Sequence, residues 1–202
     1  MKTLLSITAL ASIAFSAGCA TSPATNTNQP SAGNTATSNS TANANPAPKT
    51  DDVPASIKAV FPTAQTFTTQ HKDLTDAQIA SIEKDTSSKV GEKDHHSYLA
   101  FSTTGGTRTQ IGAATIVKAA GKDVIVIYEN KEGSPMIKEI KAEGLPAPFL
   151  SQFVGKGHDD DLLLGVDIKA NGANEEQAKA ITEAVRVDVL AMQALYGKAH
   201  TH

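Results

Sequence analysis

Residues 97–141 decide the fold class, and they read SYLAFSTTGGTRTQIGAATIVKAAGKDVIVIYENKEGSPMIKEIK. Apolar and β-branched residues recur here in short runs, several of which alternate with polar residues as they do in half-buried strands. Turn residues interrupt the pattern three times, at 105–106, 120–122 and 130–133. We therefore predict an antiparallel meander of about four strands, over residues 97–103, 109–119, 123–129 and 136–141.

Two of these predicted strands carry more detailed expectations. In residues 109–119 the alternation predicts that four side chains share one face: Ile111, Ala113, Thr115 and Val117. Within residues 123–129 the run Val-Ile-Val-Ile is apolar at successive positions. A strand that is apolar on both faces is typical of the centre of a sheet, so this segment is predicted to be a central strand.

Two helices are predicted before the meander. The first covers residues 55–61, because Pro54 suits a helix start and a second proline follows directly. The second covers residues 76–85. It is preceded by Thr75, whose spacing to Gln78 is that of a capping box.

The segment after the meander is predicted to contain a short helix over 149–154, a strand over 162–168 and a long helix over 175–196. The long helix is predicted to be amphipathic, with an apolar face formed by Ala178, Ile181, Val185, Val189, Met192 and Tyr196. Core packing is the simplest explanation of that face. Together these elements predict an α+β fold over residues 53–198, with helices packed on an antiparallel sheet.

The N-terminal 19 residues combine a single charge, at Lys2, with an apolar run that ends near a cysteine. Residues 4–15 are apolar and small, with the length of a signal-peptide core and too short to span a bilayer. Residues 16–19, Ser-Ala-Gly-Cys, resemble a bacterial lipobox, and Cys19 is the only cysteine of the chain. The resemblance implies that residues 1–18 are a lipoprotein signal peptide and that Cys19 is lipidated. An ordinary secretory signal with an incidental Cys19 is the alternative.

A lipid on Cys19 would hold the protein on a membrane at the periplasmic side of a bacterial cell envelope. Ala20 follows the cysteine instead of Asp, which by resemblance to lipoprotein sorting favours the outer membrane over the inner one in a Gram-negative cell. Residues 19–52 are rich in Ser, Thr, Asn, Ala and Pro and carry no charge before Lys49. Such a composition predicts a disordered tether. Residues 199–202 are predicted to be a frayed tail.

Composition excludes several classes of function. With 18 Lys and Arg against 21 Asp and Glu, the net charge is -3, so no basic surface for nucleic acid is expected. One cysteine cannot form an intrachain disulfide, a four-cysteine zinc site or an iron–sulfur cluster. No Ser stands in a GxSxG motif, so this signature of a nucleophilic enzyme is absent.

Four fragments of the chain carry a family resemblance: IKAVFPTA at 57–64, LTDAQIASIEK at 74–84, PFLSQFVGK at 148–156 and VDIKANGA at 166–173. Their order and spacing resemble the FMN-binding domain of the G subunit of Rnf-type electron transport complexes and the C subunit of sodium-translocating NADH:quinone reductases. The resemblance implies FMN as cofactor, a role in periplasmic electron transfer and a redox protein as partner. It points to an electron-transfer or binding module more than to a stand-alone enzyme.

The family's flavin signature is Ser/Asp-Gly-Ala-Thr/Ser-x-Thr/Ser, whose last hydroxyl is joined to the FMN phosphate. Here the corresponding residues read Asn-Gly-Ala-Asn-Glu-Glu, so the resemblance places the flavin at Asn171, Gly172, Ala173 and Asn174. Glu176 stands at the acceptor position and has no hydroxyl, which predicts that any FMN is bound non-covalently. Glu175 and Glu176 also place two carboxylates where a phosphate would meet the helix N-terminus. A flavin-free binding or scaffold protein with the same fold is therefore the alternative.

A metal site is the weaker alternative. On a strand, Asp94 and His96 would share a face, and an imidazole–carboxylate pair can bind zinc or copper. His158, which precedes three aspartates, is the third predicted ligand. Two solvated loops without a metal explain the same residues.

Overall fold

A computed structural model describes residues 53–198. The predicted signal peptide, Cys19, the predicted tether and the tail 199–202 lie outside these residues. The elements, in chain order, are α1 Ala55–Val60, β1 Thr66–Asp73, α2 Asp76–Thr86, β2 Asp94–Thr104, β3 Thr107–Ala119, β4 Lys122–Lys131, β5 Ser134–Ala142, α3 Ala147–Leu150, a 3-10 turn Ser151–Phe153 and α4 Glu175–Tyr196.

The strands form one antiparallel sheet in the order β1-β2-β3-β4-β5. The predicted α+β class and the meander are thus confirmed, and the four predicted strands correspond to β2–β5. Strand β1 was not predicted. That edge strand reads TFTTQHKD and buries only Phe67, so it lacks the apolar alternation from which strands are predicted.

The predicted strand over 162–168 is wrong. This segment forms only an isolated bridge between Leu164 and Ile168. Leu162 and Gly165 have φ angles of 48° and 88°, which are incompatible with an extended strand. Leu162 and Ile168 are nevertheless buried, so the apolar pattern reflects a turn whose side chains enter the core.

The sheet packs apolar side chains on both faces, as predicted for β4. Val124, Val126 and Tyr128 belong to one core cluster, which also contains buried residues of α4 and which we call the α4-side core. Ile125 and Ile127 belong to a second cluster with residues of α1, the α1-side core. Because β4 is buried on both faces, its five successive residues 124–128 are all apolar or aromatic.

A β-bulge alters the predicted face of β3. Ala100 pairs with Gly112 but Phe101 pairs with Gln110, which leaves Ile111 as the extra residue. Ile111 consequently packs against the α1-side core, whereas Ala113 lies in the α4-side core. The prediction that Ile111 shares a face with Ala113, Thr115 and Val117 is therefore wrong for Ile111, since one added residue reverses the alternation.

The helix starts follow their capping residues. Thr75 accepts a hydrogen bond from the Gln78 backbone and the Gln78 side chain accepts one from the Thr75 backbone, so the predicted capping box is present. Helix α4 has the predicted bounds, with Asn174 as its N-cap. Its buried side chains include five of the six predicted apolar positions, Ala178, Ile181, Val185, Val189 and Met192.

The sheet opens between β2 and β3. Their pairing ends at Tyr98 and Ala114. Beyond this point residues 94–97 pair with β1, and residues 115–119 pair with β4. Among residues 53–198, no strand pairing links 94–97 to 115–119, so the two strands diverge and leave a gap that the middle of α4 adjoins.

Candidate functional site

A cavity of about 890 Å³ lies where β2 and β3 diverge. Its wall combines the two strands with residues 88–92 and the middle of α4. Side chains that line it include Asp94, His95, Thr115, Val117, Ala184 and Asp188. The opening in the sheet thus places polar side chains beside a space large enough for a small ligand.

Asp188 is the centre of a buried polar network beside this cavity. The hydroxyls of Thr115 and Tyr128 donate hydrogen bonds of 2.6 and 2.7 Å to Asp188 Oδ2. Oδ1 lies 2.9 Å from His95 Nε2, whose side chain is 12% exposed. Asp188 comes from α4 and its three partners come from three different strands, so one carboxylate joins the helix to β2, β3 and β4. The sequence analysis did not identify Asp188, because a lone acidic residue within an apolar helix face gives no motif.

Burial raises the pKa of the Tyr128 phenol well above its usual value of about 10, and the neighbouring Asp188 carboxylate adds to the effect. Tyr128 is therefore a hydrogen-bond donor throughout the neutral range. His95 Nδ1 is buried and has no hydrogen-bond partner among residues 53–198. Within the network the Asp188 carboxylate accepts hydrogen bonds and the other three side chains donate them. His95 Nδ1 is the one polar atom of these side chains that lacks a partner among residues 53–198. The chemistry of the network suits anchoring of α4 and hydrogen bonding more than nucleophilic attack.

A second cluster lies on β1 and β2, on the face of β2 opposite to His95. His71 of β1 pairs directly with His96 of β2, and Asp94 precedes His96 by two residues. Asp94 Oδ2 is 3.1 Å from His71 Nδ1 and 2.8 Å from His96 Nε2. These hydrogen bonds, from His71 first and then from His96, hold the pKa of Asp94 below its ordinary value. His71 was missed because it lies on β1, the strand that the sequence analysis did not predict.

His158 does not join this cluster. It lines a separate cavity of about 340 Å³ together with Asp85, Asp160 and Arg186, and its Nε2 is 3.2 Å from Asp159 Oδ1. Asp94 and His96, two of the three predicted ligands, therefore lie together, whereas the third, His158, lies elsewhere. The third member of the cluster is His71. The reason is topological: cross-strand pairing brings residues 23 to 25 positions apart into contact, while residues 157–162 belong to a loop after the 3-10 turn.

The predicted flavin-binding residues form the turn that leads into α4. Asn171 and Gly172 have φ angles of 42° and 90°, and the Asn171 amide donates to the Pro148 carbonyl. Asn174 Oδ1 accepts hydrogen bonds from the backbone amides of Glu176 and Gln177, at 3.0 and 3.2 Å. Residues 171–174 thus form a positive-φ turn that leads into the start of α4.

The same geometry does not suit an FMN phosphate. A helix N-terminus binds phosphate through free amide groups and its positive dipole end. Here Asn174 already occupies two of those amides, and the exposed carboxylates of Glu175 and Glu176 supply negative charge in the first turn. Neither cavity described above is lined by residues 171–177. The residues present therefore do not fit phosphate binding at this helix start.

Comparisons with protein-family models, with curated proteins and with solved structures find no match to this chain. Within residues 53–198, no helix combines the length and the apolar character needed to cross a bilayer. The α+β architecture is established by the structure. The likeness to FMN-binding domains, the lipid on Cys19 and the envelope location stay predictions from the sequence.

Proposed function

We propose that this chain is a lipid-anchored protein of the bacterial cell envelope whose FMN-binding-type domain serves electron transfer on the periplasmic side. The observation that carries the proposal is the order and spacing of the four family-like fragments between residues 57 and 173. The confirmed α+β fold supports it, since the last fragment leads through a positive-φ turn into the start of α4. A lipid on Cys19 would anchor the domain, and a redox protein is the proposed partner.

In this proposal FMN is held without a covalent bond. No hydroxyl stands at Glu176, the acceptor position, and Asn174 uses the amides that would otherwise contact the phosphate. When bound, FMN supplies the redox chemistry, while a protein contributes binding and orientation. Because the residues at the helix start do not fit the phosphate, no step of flavin chemistry is assigned to them.

A flavin-free binding or scaffold protein is the second candidate. One specific observation favours it: the segment that would hold FMN is already satisfied by its own cap and by two acidic side chains. On this alternative the domain keeps the fold of electron-transfer modules and binds a partner protein or another ligand without carrying electrons.

Absorbance of the protein purified from its native membranes separates the two candidates. Bands at about 370 and 450 nm, the usual flavin positions, support the electron-transfer module. A colourless protein that also takes up no FMN during dialysis against the free cofactor refutes it and supports the flavin-free candidate. Denaturation of a yellow protein should release all of the flavin into the filtrate, because none of it is covalently attached.

A matched pair of variants tests the family assignment. Asn174→Thr with Glu176→Thr rebuilds Gly-Ala-Thr-x-Thr, and Asn174→Thr alone serves as the control that lacks the acceptor hydroxyl. With a flavin transferase co-expressed, the double variant should give a fluorescent band in denaturing electrophoresis while the control and the wild type stay dark. Thr also caps helices, so each variant should lose at most about 1 kcal/mol of stability. A folded double variant without fluorescence would count against the likeness to the FMN-binding family.

A further inference from the structure

The cluster of His71, Asp94 and His96 is built on two paired strands. His71 and His96 are direct cross-strand neighbours, and Asp94 is on the same face of β2 as His96 because side chains alternate along a strand. The imidazole rings are 4.2 Å apart between centroids. Each residue offers one ligand atom, and these three atoms all lie within 4.8 Å of one another. Two imidazole nitrogens and a carboxylate oxygen therefore converge on one point of a regular sheet.

We propose that His71, Asp94 and His96 bind one divalent transition-metal ion, for which zinc is the probe. Two nitrogen donors and one carboxylate oxygen suit zinc and copper far better than magnesium or calcium, which favour oxygen-only sites. The three side chains are between 44% and 57% exposed, so water can supply the remaining coordination position. Three protein ligands with an open position make a site that also accepts an external ligand.

The distances suit such an ion. Zinc lies about 2.0–2.2 Å from nitrogen and oxygen ligands, so two of its ligands in a tetrahedron are roughly 3.4 Å apart. The imidazole nitrogens of His71 and His96 now lie 3.1 and 2.8 Å from Asp94 Oδ2. Small side-chain rotations would open these hydrogen bonds into coordination distances while the strands stay in place.

The negative charges around the cluster favour the binding of a cation, because the hydrogen bonds of the cluster do not neutralise them. Asp73 pairs directly with Asp94 across the strands, and like charges at opposed positions destabilise a sheet. Both histidines contact Oδ2, whereas Asp94 Oδ1 is buried without a hydrogen-bond partner among residues 53–198. A divalent ion would interact favourably with both carboxylates and would add positive charge beside the incompletely bonded Asp94.

The neighbouring lysines do not supply that positive charge. Lys72 Nζ donates to the Leu195 carbonyl and lies 4.0 Å from the centre of the Tyr196 ring, on the side of α4. Lys93 Nζ pairs with Asp76 of α2 at 3.2 Å. The two cations nearest in sequence are thus engaged elsewhere, which leaves the carboxylate pair available to a metal.

Isothermal titration of the metal-free mature protein with ZnCl₂ alone tests the proposal. We expect one Zn²⁺ per chain at this cluster. His71→Asn with His96→Asn should weaken this binding at least about tenfold, because two of the three donors are removed. The matched control is His200→Asn with His202→Asn, which removes the same number of imidazoles outside residues 53–198 and should leave the affinity unchanged.

Thermal unfolding gives a second readout, since an ion that binds only the folded state raises Tm. Zn²⁺ should raise the Tm of the wild type and of the control, and should leave that of His71→Asn/His96→Asn unchanged. Circular dichroism verifies that the variant is folded, and His71→Gln alone replaces it if it is not. Equal Zn²⁺ affinity in the wild type and the folded cluster variant, loss of binding only in the tail control, or no binding of Zn²⁺ by the wild type would each overturn the proposal.

Discussion

Replacement of Asp188 by alanine is expected to lower the free energy of unfolding by roughly 3–5 kcal/mol. The carboxylate accepts hydrogen bonds from Thr115, Tyr128 and His95, and its side chain is 4% exposed. Without it, the buried hydroxyls of Thr115 and Tyr128 and the partly buried His95 Nε2 lose their acceptor, and each unsatisfied group costs about 1–3 kcal/mol. Three such groups together would cost about 3–9 kcal/mol. Water from the adjoining cavity can bond to some of them, so we expect a loss in the lower half of that range. The higher helix propensity of alanine offsets only about 0.5 kcal/mol.

Urea unfolding followed by circular dichroism measures this change, with Asp188→Asn as the matched control. Asn keeps one acceptor oxygen for the two hydroxyls, so its cost should be about half that of alanine. A double-mutant cycle with Tyr128→Phe adds a sharper test. Loss of the phenol should be less costly in Asp188→Ala than in the wild type, with a coupling of about 1 kcal/mol. A cost below about 1 kcal/mol for Asp188→Ala, or a cycle without coupling, would refute the role of the network.

Three further predictions concern other parts of the chain. The pKa of Tyr128 is raised on folding, so the unfolded state loses the phenol proton at a lower pH than the folded state does. The free energy of unfolding should therefore keep this contribution below about pH 10 and decrease as the pH rises further. Tyr128→Phe should make that decrease less steep in unfolding measurements. Gly112→Ala should cost about 1–3 kcal/mol in the same assay, because its Cβ would lie 2.5 Å from the Phe61 ring, and a neutral result would show that the ring has room to move. Cys19→Ser should move the protein from the membrane to the soluble fraction after cell lysis, and its retention on salt-washed membranes would place the anchor elsewhere.

Much of the fold could be predicted from local patterns. Helix α4 was predicted with the bounds it has, because its apolar residues recur at helical spacing, and Asn174 caps its start. The meander was predicted from three turn signals, each of which contains or adjoins residues with positive φ. Features that depend on pairing with a neighbouring strand were either not predicted or predicted wrongly. Strand β1 has a mostly polar sequence and is a strand because it pairs with β2. The β-bulge in β3 could not be predicted, because the apolar alternation of residues 111–117 continues through it in the sequence.

In the candidate sites, too, local relations could be predicted and contacts between strands could not. Asp94 and His96 were predicted to share a face, since two residues on one strand obey a local period. Their third neighbour, His71, could not be predicted, because it comes from a strand that the sequence pattern did not reveal and from a register that only pairing defines. Local sequence was enough to predict α1, α2, α4, the turns of the meander and the missing hydroxyl at Glu176, since propensity, capping and side-chain chemistry act over a few residues. Folding of the whole domain is needed for β2 and β3 to diverge, for Asp188 to join three strands to α4 and for His71 to contact Asp94. The hydrogen bonds of Asp188 and of His71 link residues 23 to 93 positions apart, beyond the reach of any local pattern.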